Sequence, residues 1–315
     1  MTAGAAPVPG RRASLGAAVV LAGFVLQGAP ALYFLGPFAL FTLLSRPRTG
    51  RELFWLVAAG AGVAAVVSLD RALVLQLVRL SGLLVTVGFV GLSLRGRLPV
   101  VTRALIGVAF GALGVGVWLG FIGLGWADLE RAFTEMMRAT YDAWAKASAP
   151  AGGATTETQT FVRQLQDMAP QIARVMPGFL ALTAIAGCSL AWTWHHRVAS
   201  TPFGTPPAPF RQFRFNDHLV WGAILTLGSL LLPLPPPART LAMNLLVVWV
   251  GLYVARGLAV ITALLAPAPG AVKAVAVGLA FLILPLTPGA LTVLGLADTW
   301  IDIRGRFAPP APGGA

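Results

Sequence analysis

The sequence predicts an all-α, polytopic transmembrane helical bundle. Hydrophobic residues make up 57% of the chain and charged residues only 11%, which is far from the balance of a typical globular domain. Residues 13–45 and 274–297 contain no charged side chain at all. Because a helix of about 20 apolar residues crosses a bilayer, such runs predict several membrane crossings, and the lipid bilayer is the first predicted partner.

Ten apolar segments are candidates for these crossings. In chain order they cover about 13–28, 31–45, 52–69, 72–94, 98–126, 175–194, 218–235, 240–265, 271–285 and 287–302. Gln27–Pro30 separates the first two segments, and Pro285 and Pro288 separate the last two. Each pair is a tight hairpin, a re-entrant pair or one long kinked helix. The sequence therefore predicts 8–10 membrane segments, some of them short or broken.

One long loop, at about 127–174, is predicted to lie on the extracytoplasmic side. Apolar residues recur there at helical spacing on both sides of a flexible stretch, Pro150–Thr158, and predict two amphipathic helices. Their apolar faces are expected to lie on the outer membrane surface or to cap the bundle. The whole chain, 1–315, is predicted to be a single integral membrane domain with this insertion at 127–174 and with flexible tails at 1–10 and 307–315.

The net charge of +12 is explained by membrane topology. Nucleic-acid-binding proteins are also basic, but here Lys and Arg of the short loops concentrate on the side that holds both termini, and Arg103 is counted among them. By the positive-inside rule, both termini are predicted to be cytoplasmic. The sequence therefore predicts no nucleic-acid partner. His195, His196 and Arg197 are interpreted as cations that close a membrane helix at its C-terminal end.

Polar side chains inside the apolar segments are costly and therefore informative. Two interpretations are open. In the first, Arg79 extends outward and Arg256 inward to water, or Arg256 pairs with Asp298. In the second, the polar groups line a cavity that accepts an anionic or hydrogen-bonding ligand. The candidate ligand-binding residues are Gln76, Arg79, Asn244, Tyr253, Arg256 and Asp298.

No catalytic residue, metal site or cofactor is predicted. The sequence contains no HExxH or GxSxG motif and no Cys/His spacing typical of metal ligands. Asp298 and Asp302 share a helix face, but too few other carboxylates accompany them, and Arg304 and Arg306 follow directly. An ion-paired helix end is therefore favoured over a metal site, and the protein is predicted not to be an enzyme.

The stretch RQFRFNDHLVWGAIL, Arg211–Leu225, is interpreted as a cytoplasmic collar where the chain enters the membrane. Its arginines are expected to meet anionic headgroups, its aromatic residues to form an interfacial belt, and Asn216 or Asp217 to cap the next helix. A ligand or catalytic site at the Asn-Asp-His cluster is the alternative. The collar residues are Arg211, Arg214, Asn216, Asp217, His218 and Trp221.

Three segments resemble the YybS-like bacterial membrane proteins, a family defined as a domain of unknown function. They are FRFNDHLVWG at Phe213–Gly222, NLLVVWVGLYVARGLAVI at Asn244–Ile261, and LGLADTWIDIRGRF at Leu294–Phe307. Family members often carry Gln where this chain has Arg256. The resemblance implies a bacterial cytoplasmic (inner) membrane location. It also implies a remote similarity to the S components of energy-coupling-factor transporters, which bind a small molecule and associate with a membrane coupling subunit.

Three functions follow as predictions. The leading one is a non-enzymatic protein that binds a small solute or helps to translocate it, as an S component does with its coupling subunit. The alternative is a membrane scaffold or assembly factor that acts through protein partners. An intramembrane enzyme acting on lipid-linked phosphate is the third.

Overall fold

The computed structural model describes residues 19–68, 72–96, 98–148 and 156–306. The predicted tails at 1–10 and 307–315, and most of Pro150–Thr158, lie outside these residues. Within them the chain is helical and forms no β-strand. Short 3-10 turns occur at Ala29–Ala31 and Phe210–Gln212. The α-helices are α1 (Leu32–Leu44), α2 (Gly50–Val67), α3 (Leu73–Arg95), α4 (Val100–Phe121), α5 (Trp126–Ser148), α6 (Thr156–Val198), α7 (Leu219–Ser229), α8 (Pro236–Leu264), α9 (Gly270–Leu282), α10 (Thr287–Ile301) and α11 (Ile303–Arg306).

Within the described residues, five helices are long and apolar enough to cross a membrane. They are α2, α3, α4, α8 and the Gln159–Val198 part of α6. Shorter apolar helices cover Ala29–Leu44, Leu219–Ser229 and Gly270–Ala280. The predicted interruptions are also present, because the chain leaves the helical conformation at 26–28 and again at 283–286. The predicted class, a polytopic helical membrane protein with short and broken segments, is confirmed.

Helix α6 differs from the prediction in its extent. The sequence predicts a loop up to residue 174 and a separate membrane segment at 175–194, whereas α6 continues unbroken through Thr156–Val198 with Pro170 and Pro177 inside it. Prolines are tolerated within membrane helices where neighbouring groups bind the freed backbone atoms. The first predicted amphipathic helix is present as α5.

The chain divides into two compact units. The first comprises Met1–Gly123 and Thr183–Pro206, and the second comprises Leu124–Leu182 and Pro207–Ala315. In the first unit, α1 supplies a buried aromatic core that includes Phe38 and Phe41, and ring burial of this kind is a large stabilising contribution. Helices α3 and α4 lie close together, since a Cβ atom on Gly107 would come within 3.2 Å of the Phe89 backbone nitrogen.

The start of α2 is fixed by a capping box. The Thr49 hydroxyl oxygen accepts a hydrogen bond from the Glu52 backbone N–H, and the Glu52 carboxylate accepts one from the Thr49 backbone N–H, so two free donors of the first turn are satisfied. The other carboxylate oxygen of Glu52 accepts hydrogen bonds from the backbone N–H and the hydroxyl group of Ser200, at 2.7 and 3.1 Å. Glu52 therefore connects the start of α2 to the segment after α6 within the first unit.

In the second unit, α8 is the helix against which others pack. Gly257 of α8 and Gly295 of α10 let these two helices approach closely, and α7 contacts α8 where Gly222 faces the Trp249 ring. Helices α5 and α6 are joined at their polar faces. The Arg174 Nε atom donates to Glu130 at 2.7 Å.

Candidate functional site

Arg256 lies at the centre of a buried ion-pair cluster in the second unit. It stands on α8 and is only 1% exposed. Its Nε atom donates to the Asp298 carboxylate at 3.0 Å, and its Nη2 atom donates to the Asp298 backbone carbonyl at 3.2 Å. Its Nη1 atom donates to the Asp217 carboxylate at 2.6 Å. All three guanidinium nitrogens therefore have an acceptor, which a buried cation requires.

Asp298 binds both arginines of this cluster, Arg256 and Arg304. Its side chain is fully buried, and it accepts a further hydrogen bond from Arg304 Nη2 at 2.7 Å. Arg304 also donates to the backbone carbonyls of Arg211 and Phe213, at 3.1 and 3.0 Å. Two guanidinium groups thus face the carboxylates of Asp298 and Asp217, and the cluster is balanced in charge.

Two glycines bring the cluster together. A Cβ atom on Gly295 of α10 would collide with the Tyr253 carbonyl oxygen, and one on Gly257 of α8 would collide with the Leu291 carbonyl oxygen. Only glycine allows the two helix backbones to approach this closely. The close contact lets Arg256 reach Asp298, and the pairing of these two residues, one of the two interpretations of the sequence, is observed.

The collar segment packs onto this cluster. Phe215 is buried, and its ring lies 5.2 Å from that of Tyr253 and 5.5 Å from the Arg256 guanidinium carbon. Arg214 pairs with Asp302. Trp221 is 63% exposed, and its place in an interfacial belt stays a prediction.

The expected cap of α7 is not formed as predicted. His218 is the N-cap residue, and no side chain caps the helix. The Asn216 side chain instead accepts a hydrogen bond from the His218 backbone N–H at 3.0 Å, a local turn that precedes the helix. Asp217 is unavailable as a cap because it binds Arg256.

Asn244 is occupied by α6. Its Oδ1 atom accepts a hydrogen bond from the Gly178 backbone N–H at 2.6 Å, and its Nδ2 atom donates to the Arg174 carbonyl at 2.7 Å and to the Thr240 carbonyl at 2.9 Å. In a regular helix the Gly178 N–H would donate to the Arg174 carbonyl. The Asn244 carboxamide thus bridges the Gly178 N–H and the Arg174 carbonyl, two groups that a regular helix joins directly.

The remaining candidate residues lie in different surroundings. Tyr253 is buried and one turn before Arg256 on α8. Gln76 and Arg79 belong to the first unit, where both are half-buried on α3 and engaged with neighbours. The structure thus groups Tyr253, Arg256 and Asp298, and it adds Asp217 and Arg304 to them.

Sequence reasoning missed a second buried guanidinium group, in the first unit. Arg103 was counted as a loop cation, but it is 3% exposed in the first turn of α4. Its guanidinium carbon lies 4.5 Å from the centroid of the Trp192 ring. The available signal was its position inside the apolar run 98–126, where an arginine is costly.

The apolar helices, with a hydrogen-bonded ion pair buried between α8 and α10, define a polytopic helical membrane protein. A family model described as "Predicted membrane protein (DUF2232)" matches residues 16–299, and the chain belongs to this family. No curated protein and no solved structure matches the chain. Among the described residues, no three His, Cys, Asp or Glu side chains are grouped in a way that could hold a metal ion.

Proposed function

We propose that this protein binds a small solute in the bacterial cytoplasmic membrane and helps to translocate it, without catalysing a reaction. In this proposal it acts as the S components of energy-coupling-factor transporters do, with both termini in the cytoplasm. The observation that carries the proposal is the bridge that the Asn244 carboxamide forms to the Gly178 N–H and the Arg174 carbonyl of α6, next to Pro177.

Helices whose hydrogen bonding is locally weakened or interrupted recur in membrane transporters, because backbone groups at such a point are available to solutes or to a second conformation. Inside a bilayer every such group needs a partner. At Gly178 two partners are within the reach of small movements: the Asn244 side chain, and the Arg174 carbonyl of a regular helix. Pro177 lies next to this position and weakens the ladder further. The helix can therefore exchange one set of hydrogen bonds for the other, which is the property of a hinge.

The close approach of α8 to this point supports the same proposal. A Cβ atom on Gly178 would lie 2.8 Å from the Asn244 carbonyl oxygen, so a larger residue would push the two helices apart. Glycine at this position and asparagine opposite it are both needed for the bridge. The sequence contains no phosphate-binding loop for ATP, so a coupling subunit would supply the energy for transport.

A thermal-shift screen tests the proposal. The full-length protein is purified in detergent and heated in the presence of vitamins, nucleobases, amino acids and phosphorylated metabolites. A solute at a hundredfold excess over its dissociation constant stabilises the folded protein by about 2.7 kcal/mol. A selective rise in the melting temperature supports solute binding. A well-folded protein that responds to none of these solutes contradicts it.

A membrane scaffold acting through protein partners is the second candidate. The exposed side chains of Trp144 on α5 and of Phe161 and Met168 on α6 favour it, since exposed apolar groups that lie near one another suit a protein contact. Trp144→Ser combined with Phe161→Ser should then remove partners that co-purify with the wild-type protein. The enzymatic alternative gains no support from Asp298 and Asp302, because both carboxylates are engaged by arginines.

A further inference from the structure

The first unit is unusually poor in negative charge. Its sequence contains two acidic residues, Glu52 and Asp70, against eleven arginines. Asp70 lies outside the described residues. A buried cation in this unit therefore has few carboxylates with which to pair.

Glu52 is occupied by uncharged donors. One of its carboxylate oxygens accepts hydrogen bonds from the backbone N–H groups of Arg48 and Thr49, at 2.9 and 2.8 Å. The other accepts one from the backbone N–H of Ser200, at 2.7 Å. The residue is 1% exposed. Its charge is thus held at the start of α2, and no carboxylate of the described residues forms an ion pair with Arg103.

Arg103 is a buried cation with hydrogen-bond donors to spare. Its Nε and Nη1 atoms are buried and have no acceptor among the described residues. The Trp192 ring beneath the guanidinium group contributes a cation–π interaction. Its indole nitrogen cannot accept a hydrogen bond, since an indole N–H only donates, here to the Thr205 carbonyl at 3.3 Å. Native proteins rarely leave a charged donor in this condition.

His195 lies on the same aromatic cluster. It is fully buried, and both of its ring nitrogens have no partner among the described residues. Its ring centroid is 5.0 Å from that of Phe203, 5.6 Å from that of Phe41 and 6.4 Å from that of Trp192. Two side chains from α4 and α6 therefore bring unsatisfied nitrogen atoms to the surroundings of one indole ring.

We propose that Arg103 and His195 bind an oxyanion, a phosphate or carboxylate group, beside the Trp192 ring. A guanidinium group matches the geometry and the charge of such groups, and an imidazole nitrogen that bears a proton adds a donor. The inference rests on the proposed function, because it makes this oxyanion the charged end of the solute. An anionic lipid headgroup has the same chemistry and is the other source of such a group.

The first experiment uses inorganic phosphate and acetate as probes of the full-length protein in detergent, with binding measured by calorimetry and by melting temperature. Arg103→Met should weaken the binding of the effective probe by roughly tenfold to a hundredfold, the range expected for the loss of a charge-assisted hydrogen bond. His195→Phe should weaken it as well, while Arg103→Lys should retain part of the binding. The matched control is Arg138→Met, at an exposed arginine of α5, which should bind the probe as the wild type does.

A second readout separates a binding role from a structural one. Without the probe, Arg103→Met should melt at a higher temperature than the wild type, because it removes a buried charge that has no carboxylate partner among the described residues. A structural role for Arg103 requires the opposite, a lower melting temperature and no dependence on the probe. If Arg103→Met does not fold, the comparison of wild type, Arg103→Lys and His195→Phe decides the question. Equal binding of the probe by all three overturns the proposal.

The lipid source is tested in vesicles of phosphatidylcholine with and without phosphatidylglycerol. In one outcome, phosphatidylglycerol stabilises the wild type but not Arg103→Met, and neither phosphate nor acetate has an effect. That outcome supports the oxyanion site and contradicts the solute function. In another outcome, a solute from the screen binds to Arg103→Met and to His195→Phe as tightly as it binds to the wild type. That outcome supports the solute function and overturns the oxyanion site. A wild type that responds to none of phosphate, acetate and phosphatidylglycerol also overturns it.

Discussion

Replacing Asp298 by asparagine should destabilise this protein severely. The substitution keeps the size of the side chain and removes the charge that two arginines share. Arg256 would then be a buried cation whose remaining ion pair is with Asp217, and the Asp217 side chain is 58% exposed. Solvent screens an exposed partner, so that pair compensates little of the charge.

The magnitude follows from the burial of the pair. The side chains of Arg256 and Asp298 are 1% and 0% exposed, and removal of one partner from such a pair costs about 3–5 kcal/mol of the free energy of unfolding. Asp302→Asn is the matched control on the same helix end. The side chains of Asp302 and its partner Arg214 are 56% and 47% exposed, so this change should cost about 1 kcal/mol or less.

Denaturant or thermal unfolding of the full-length protein in detergent measures both changes. A double-mutant cycle sharpens the comparison. Asp298→Leu combined with Arg256→Met leaves no buried charge from the pair and should recover much of the stability that Asp298→Leu alone loses. The reasoning is refuted if Asp298→Asn is no more destabilising than Asp302→Asn. It is also refuted if the double variant is as unstable as the sum of the two single variants.

Two further substitutions test the contacts of α8. Asn244→Leu should lower the free energy of unfolding by about 1–3 kcal/mol, because the Gly178 N–H loses the Asn244 side chain as an acceptor. Unfolding measurements should show a smaller loss for Thr240→Val. Equal losses for the two variants would contradict the role given to the Asn244 bridge. Gly295→Ala should cost about 3 kcal/mol, since the new methyl group meets backbone rather than a movable side chain. Gly289→Ala on the same helix meets open space and should be neutral, so similar melting temperatures for the two variants would refute the packing.

The apolar runs predict the helices well, because helix length and hydropathy are local properties. The continuity of α6 across Pro177 could not be predicted in this way. The groups that make the proline tolerable include Asn244, which is 66 residues from Gly178 along the chain. No local rule connects them.

Contacts between residues distant in the sequence also explain which predictions failed at the candidate site. Asp217 has the position of a helix cap, and local rules assign it that role, but Arg256, 39 residues further on, binds it instead. The pairing of Arg256 with Asp298 was within reach, because both are ionisable groups at membrane depth and few other acids are available. Arg103 was missed for the opposite reason, since the positive-inside rule counts an arginine near the end of a membrane segment as a loop residue.

The two buried arginines now give the most direct separation of architecture from function. Arg256 has carboxylate partners and a charge-balanced neighbourhood, so breaking its cluster should destabilise the protein. Arg103 has neither among the described residues, so its replacement should stabilise the protein while it weakens oxyanion binding. Functional and strained sites are where natural proteins are expected to depart from the rules that favour stability. The change in melting temperature should therefore be positive for Arg103→Met and negative for Asp298→Asn. This difference in sign distinguishes a ligand site from a structural ion pair in this protein.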